Sequence, residues 1–425
     1  MILLYTEDIS ARLSYICHFI LKEQLGVEYI ITNKKEDCSN TDHFIINYSA
    51  TKIESPSFQI IPHGLLAEKG IKEQEINCFL VKDTTAFFKS TDDVGFDVFA
   101  ATFYLISRYE EYLPHQKDVY GRYAHENSVA FKNNFLDKPV VNIWMQWLAE
   151  SLQGTFPDIK FYRPEFKTML TYDIDMAWSY RHKGIMRNIG GFIAKPSFQR
   201  LLVLLGFKKD PYDSYEFLNI SVERKELTQL YFFLVAKRWS KYDKNISPNK
   251  KPMKRLIREQ AKIHSIGLHP SWLSNRHNSI LIKEKKKLEK IAGNPIVNSR
   301  QHYINFNLPE TFQQLLAAGI QNEFSMGYGS INGFRASVAS SFFWYDLSIE
   351  KTTTLRLFPF CFMDANSYYE QKQNTEESLK ELMHYKKECE KVNGLLIPIF
   401  HNNFLGGEVE FLGWQELYTQ FIASL

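Results

Sequence analysis

The sequence predicts an α/β fold: a distorted (β/α) barrel preceded by a smaller α+β domain. Three observations carry this. After Pro164, short apolar runs alternate with helical patterns, which is how βα units around a parallel sheet read. At least six such strands follow one another over roughly 260 residues, which suits a barrel, distorted or incomplete, better than an open sheet. No GxGxxG follows the first of them, which argues against a dinucleotide-binding fold. The expected division is 1–160 and 161–425, with an insertion at about 176–220.

In the first part, Tyr29–Thr32 and Phe44–Tyr48 read as strands. The stretch from Phe96 to Leu113 puts Phe99, Phe103, Ile106 and Tyr109 at helical spacing, and Pro114 stops it. Asp137 is the expected cap of a second helix with Val140, Ile143, Trp144, Trp147 and Leu148 on its apolar face, ending at Gly154. Glu110 and Glu111 beside Arg108 read as a solvated or ion-paired face.

In the second part, strands are expected at Met169–Tyr172, Tyr231–Ala236, Ile266–His269, Ile296–Ser299, near Glu323–Met326, at Thr353–Phe358 and at Leu395–Phe400. Helices are expected over Ser221–Leu230, Met253–His264, Ile280–Ile291, Pro309–Ala318, Glu376–Val392 and Gln415–Ser424.

Composition limits the function. The chain has 425 residues, 44% of them hydrophobic, and a mean hydropathy of -0.30, so it has ample material for a core. Lys and Arg number 51 against 48 Asp and Glu, and this near-balance argues against a nucleic-acid partner. The five cysteines are scattered without a CxxC pair, which disfavours a disulfide scaffold or a cysteine zinc site. The N-terminus lacks the basic and apolar regions of a signal peptide, and no run approaches the roughly 18 apolar residues of a membrane span. A cytoplasmic location is therefore expected. Residues 184–210 are basic, apolar and interrupted by Gly and Pro. They read either as a lid or as a peripheral membrane contact through Arg187, Lys195, Arg200, Lys208 and Lys209.

A barrel of this kind does its chemistry at the C-terminal ends of its strands. Those ends carry Asp173 and Asp175, His269, Arg300 and His302, and His401. Two acids, three histidines and an arginine at one rim suit a metal-assisted hydrolysis. Asp173 and Asp175 share a face by the period of two, so one carboxylate can bind a cation while the other acts as base. His269 is a nitrogen donor for a metal such as zinc, and His401 a candidate general acid.

From Thr171 onward these residues resemble the polysaccharide deacetylases of carbohydrate esterase family 4, the NodB-homology superfamily, whose catalytic domain is a distorted (β/α) barrel. TYDID (171–175), KIHSIGLHPSW (262–272), SRQH (299–302), GFRA (333–336) with LRLFPFCFMDA (355–365), and PIFHNN (398–403) stand in the order of that family's five motifs. The resemblance implies Asp173 as catalytic base, Asp175 and His269 as metal ligands, Arg300 as partner of the base and His401 as general acid. It also implies an acetyl pocket near Arg335 and a substrate contact from Asn402. Separately, Tyr172, Trp178, Trp272, Tyr303 and Phe404 each fall within a few residues of a candidate site residue, where rings can stack on sugar faces. One position departs from the pattern: the family's second metal-binding histidine is here Leu273. His302 is the expected replacement, with His264 and His277 as weaker candidates. The implied cofactor is a divalent metal, zinc first and cobalt or nickel as alternatives. The implied substrate is an amino sugar, glycan or glycan precursor bearing an N- or O-acetyl group. The alternative is an inactive deacetylase-like protein that binds glycans or serves polysaccharide assembly. The runs FDVFAATFYLISRYEEYL, DVYGRYAHENS and DPYDSYEFL are further similar to deacetylase-like proteins of Bacteroidetes-type bacteria that carry an extra N-terminal domain.

Overall fold

A computed structural model describes every residue except Asn40, Arg163, Lys195, 223–226 and Arg238. The N-terminal sheet is formed by β1 (Ile2–Thr6), β2 (Tyr29–Thr32), β3 (Phe44–Tyr48) and β4 (Phe58–Ile60), all parallel in the order β2-β1-β3-β4. The run ILLYT of β1 is buried along its whole length, as a central parallel strand covered on both faces must be. A hairpin of β5 (Phe79–Val81) and β6 (Thr84–Ala86) follows.

The helix expected over Phe96–Leu113 is shorter than its periodicity suggests. It spans Val98–Ile106, capped by the Asp97 carboxylate, which accepts from Ala100 N–H at 2.9 Å. The chain leaves the helix at Arg108 (φ 56°) and makes a tight turn over Tyr109–Tyr112. That turn drives Glu110 and Glu111 inward, so of the two expected readings, solvated or ion-paired, the ion-paired one holds, and the pairs are buried. Arg108 donates to Glu111 at 2.7 Å and to Glu110 at 2.8 Å, and Arg335 donates to Glu111 at 2.7 and 2.8 Å. The second helix runs Val140–Thr155, with Pro139 rather than Asp137 at its N-cap.

The main sheet is built from β7 (Lys167–Ile174), β8 (Thr228–Leu234), β9 (Ser265–His269), β10 (Asn298–Ser299), β11 (Asn322–Glu323), β12 (Phe342–Asp346), β13 (Lys351–Leu357), β14 (Phe362–Met363), β15 (Leu395–Leu396) and β16 (Pro398–His401). Its order is β12-β13-β11-β10-β9-β8-β7-β16-β14, with β15 also on β7. All pairs are parallel except β12 with β13. Among the described residues the hydrogen-bonded path stays open, with β12 and β14 as its edges, so barrel closure is absent from the pairing. Of the expected helix over Ser221–Leu230, residues 223–226 lie outside the described residues. The helix on their N-terminal side is Tyr215–Val222, and Thr228–Leu230 already belong to β8.

Gly267 in β9 is required by packing rather than by its backbone angles. Any Cβ there would be driven into the ring of Phe232 on β8, and that ring carries the Arg300 guanidinium at 4.4 Å. An apolar cluster extends from Ile2 to Ile422 and takes in most of the chain's aromatic side chains, with Trp144, Trp344 and Trp414 fully buried. Polar ties join the two parts of the chain: Tyr15 donates to the Phe343 carbonyl at 2.7 Å, and Arg12 pairs with Glu350 at 2.5 Å. Among the described residues no helix is long and apolar enough to cross a membrane.

Candidate functional site

The C-terminal ends of β7, β9, β10 and β16 meet at a cavity of about 530 Å³. Register explains the convergence. Asp173 on β7 lies beside His401 on β16, and Leu268, one residue before His269, lies beside Ser299, one residue before Arg300. Asp173, Asp175, His269, His302 and His401 all line the cavity.

Asp175, His269 and His302 form the innermost group, with ligand-type atoms all within 4.8 Å of one another. Each ring has its Nδ1 occupied by an acceptor. Nδ1–H of His269 donates to the Arg300 carbonyl at 2.5 Å, and Nδ1–H of His302 donates to the Asp243 carboxylate at 3.0 Å. When either ring is neutral, as a metal ligand must be, its lone pair therefore sits on Nε2. These two Nε2 atoms lie 3.1 and 3.6 Å from Oδ1 of Asp175, a buried oxygen with no hydrogen-bond partner among the described residues. At 3.1 Å the His269 contact has hydrogen-bond length, but the proton of that ring is already committed to Arg300. With both rings deprotonated at Nε2, three lone pairs face one point, which a cation between them would satisfy. A divalent metal would fit this donor set of two nitrogens and one oxygen, and Asp243 and the Arg300 carbonyl orient the imidazoles.

The electrostatics follow from the same contacts. Burial alone would lift the Asp175 carboxyl, but His302 and His269 outweigh it and hold it well below the usual range. Burial works against a charge on His302, yet Asp175 and Asp243 on either side push it up to about 9. Asp243, bonded also by Trp272 N–H at 3.0 Å, is lowered in turn.

Asp173 is 2% exposed and accepts from the Arg300 guanidinium at 2.8 Å, while Arg300 also donates to the Phe324 carbonyl at 3.1 Å. His401 is bonded twice to Asp364, through its backbone N–H and its Nδ1–H, both at 2.6 Å. Its Nε2 then faces the cavity, 3.8 Å from Asp175 Oδ2. Burial opposes a proton on this ring, but Asp364 and Asp175 override it and raise it to about 10.

Other expected contacts fall elsewhere. Tyr172 is fully buried on the far side of β7, its hydroxyl 2.6 Å from that of Tyr418, because odd and even residues of a strand face opposite ways. Arg335 is bound by Glu111 and the Gly327 carbonyl (3.0 Å) inside the core. Asn402 donates to the Met176 and Tyr212 carbonyls at 3.1 and 2.8 Å, tying the ends of the insertion to β16, and Asn403 lines the cavity in its stead. Trp272 stacks on Tyr242 at 3.9 Å behind Tyr303 and is not part of the cavity wall. His264 bonds Asn219 at 2.9 Å, and neither it nor His277 joins the metal-type group. Leu273, in the turn Trp272–Arg276, is 38% exposed.

Sequence reasoning missed Asp243, Asp364, Tyr120 and Arg122. Asp364 follows the end of β14 and obeys the same strand-end rule that found the others, whereas Asp243 sits in a loop with no pattern around it. Tyr120 and Arg122 come from the first part of the chain and line the cavity. Arg122 is held by Asp118 at 2.6 Å and donates to the carbonyl of Tyr303 at 2.6 Å, fixing that residue at φ 61° on the rim.

Residues 2–157 match a family of unknown function, DUF7033. Among curated protein sequences nothing matches. Three solved structures are similar to part of the chain. The first, assigned to the polysaccharide deacetylases of Mycobacterium smegmatis, is 13% identical, covering 62% of this chain and 84% of its own, with a TM-score of 0.40. Puue allantoinase is 9% identical over 61% and 85%, with a TM-score of 0.39. The polysaccharide deacetylase Bc1974 from Bacillus cereus is 10% identical over 61% and 88%, with a TM-score of 0.32. The chemistry of the site rests on this chain's own residues.

Proposed function

We propose that this protein is a metal-dependent hydrolase that removes an N- or O-acetyl group from an amino sugar or glycan precursor. The observation that carries the reading is the convergence of Asp175, His269 and His302, with both imidazoles locked to present Nε2. It supplies the donor that Leu273 lacks. Zinc is the proposed ion, with cobalt or nickel as alternatives, because imidazole and carboxylate donors suit all three. When bound, such an ion would polarise a water molecule and the acetyl carbonyl.

The remaining roles belong to the chain. Asp173, oriented by Arg300, takes a proton from the attacking water as its oxygen bonds to the carbonyl carbon. His401, oriented by Asp364, gives its Nε2 proton to the departing amine or alkoxide as that bond breaks, leaving acetate. Tyr120 and Tyr303, with ring centroids 5.5 Å apart, line a wall on which a sugar face can rest. Residues 161–425 are the proposed catalytic part, and residues 1–160 close the rim through Tyr120 and Arg122.

The test is acetate release from N-acetylglucosamine oligomers and O-acetylated glycans by the full chain, stripped with a chelator and then reloaded with zinc, cobalt or nickel. Release that returns with metal and is lost in Asp173→Asn supports the proposal. A metal-loaded protein that binds these glycans without releasing acetate would favour the glycan-binding alternative.

A further inference from the structure

The insertion after β7 is a second feature with no part in the cavity chemistry. Between residues 176 and 209 the sequence has Arg181, Lys183, Arg187, Lys195, Arg200, Lys208 and Lys209 and no acid. This segment carries +7 against +3 for the whole chain, so the rest of the molecule is net acidic. Its helices, Ile185–Ala194 and Phe198–Leu204, turn large apolar side chains to solvent: Ile185, Met186, Ile193, Phe198 and nearby Phe207 are 73–83% exposed. Between the helices runs an open groove of about 840 Å³, larger than the catalytic cavity, with Ile189, Phe192 and Leu201 in its walls and Arg200, Lys250 and Lys251 beside them. Trp239, 64% exposed, lies against the Arg187 guanidinium at 5.4 Å.

A soluble surface rarely leaves so many large apolar groups together unless something covers them. Charge selects the occupant. Cations flank the apolar groups with no acid of the segment among them, so lysines and arginines can reach phosphates while rings and aliphatic chains enter the acyl boundary. We propose that this insertion docks the protein on an anionic membrane surface. The segment leaves and rejoins the body at Met176 and Tyr212, both on the wall of the catalytic cavity. Its base is clamped by Asp210, whose carboxylate accepts the backbone N–H groups of Ser179, Tyr180 and Arg181 at 2.6, 2.9 and 2.8 Å. Docking therefore sets the cavity mouth beside the headgroup layer, within reach of a glycan carried on a lipid. That last clause rests on the hydrolase proposal, whereas the docking does not.

The test is co-sedimentation of the full chain with vesicles of phosphatidylcholine alone and of phosphatidylcholine and phosphatidylglycerol in equal parts. Binding is expected to the anionic vesicles and to weaken with added salt. Ile193→Asp with Phe198→Asp should reduce it about tenfold or more, since two large side chains no longer enter the lipid. Lys208→Glu with Lys251→Glu should reduce it by about fivefold per position. All four side chains are exposed, so circular dichroism and metal content should match the parent. Equal binding to both vesicle types, or no effect of either pair, would overturn the proposal. So would a dimer in light scattering that the Ile193→Asp, Phe198→Asp protein no longer forms, which would make a second copy the occupant. These readouts need no turnover and so fail independently of the hydrolase reading.

Discussion

Replacing Glu111 by Gln removes one negative charge from a site 4% exposed, where Arg108 and Arg335 both bond the carboxylate. Burial alone would raise this carboxyl, but Arg335 and Arg108 reverse that and hold it at about 2 against an ordinary 4.5. A shift of that size corresponds to a stabilisation on the order of 3 kcal/mol, close to the measured cost of breaking a buried ion pair by deleting one partner. The sign is that of a depressed carboxylate. The stabilisation is fully present above about pH 4.5 and is lost as pH falls through about 2. Glu111→Gln should therefore unfold about 3 kcal/mol more easily at pH 7, and the gap to the parent should narrow below pH 4.5. Urea titration followed by both circular dichroism and tryptophan fluorescence measures it, two probes being needed for a chain that can unfold in more than one step. Because the pair of Glu111 and Arg335 ties the first part of the chain to the second, both probes should shift together. A Glu111→Gln protein within about 0.5 kcal/mol of the parent at pH 7 would refute the reasoning.

Other outcomes follow from single contacts. Glu323, buried beside the hydroxyls of Ser299 and Ser325, is pushed by burial to about 7 from 4.5, so its contribution is fully present below about pH 4.5 and lost as pH rises through 7. Glu323→Gln should remove that slope from a plot of unfolding free energy against pH, and an unchanged slope would count against it. Asp243→Asn should weaken metal affinity about 10- to 100-fold in competition with a chelator, since the His302 ring loses the partner that orients it. Asp364→Asn should leave metal content intact but lower turnover by at least about 100-fold if His401 is the proton donor, whereas loss of metal would assign Asp364 a structural role. Gly267→Ala should displace Phe232 and with it Arg300, lowering thermal stability measurably.

The elements that sequence patterns locate well are those whose period is enforced by burial on one side or both. β8, β9 and the helix Thr375–Lys391 fall within a few residues of the expected places. Periodicity carries the expected helix on to Leu113, whereas the helix stops at Ile106 and Arg108 turns the chain so that it pairs with Glu110 and Glu111. The strands at Phe342–Asp346 and Ile2–Thr6 went unread: one is an antiparallel edge among aromatics, the other an apolar run beside the N-terminus. At the site, Asp173, Asp175, His269, Arg300, His302 and His401 were visible because strand ends project into one place. Asp364 sits at a strand end and is open to the same rule, whereas Asp243 lies in a loop and acts through the His302 ring it holds, which leaves no spacing pattern in the sequence. Tyr172 cannot share the cavity with Asp173, because adjacent residues of a strand face opposite ways.

The central claim is that Asp175, His269 and His302 hold a metal ion, and elemental analysis of the purified full chain tests it most directly. After loading with zinc, cobalt or nickel and removal of excess ion, about one equivalent per chain is expected, falling to near zero in Asp175→Ala and His302→Ala proteins that still fold. A folded parent protein that retains no metal under any of the three conditions would contradict it.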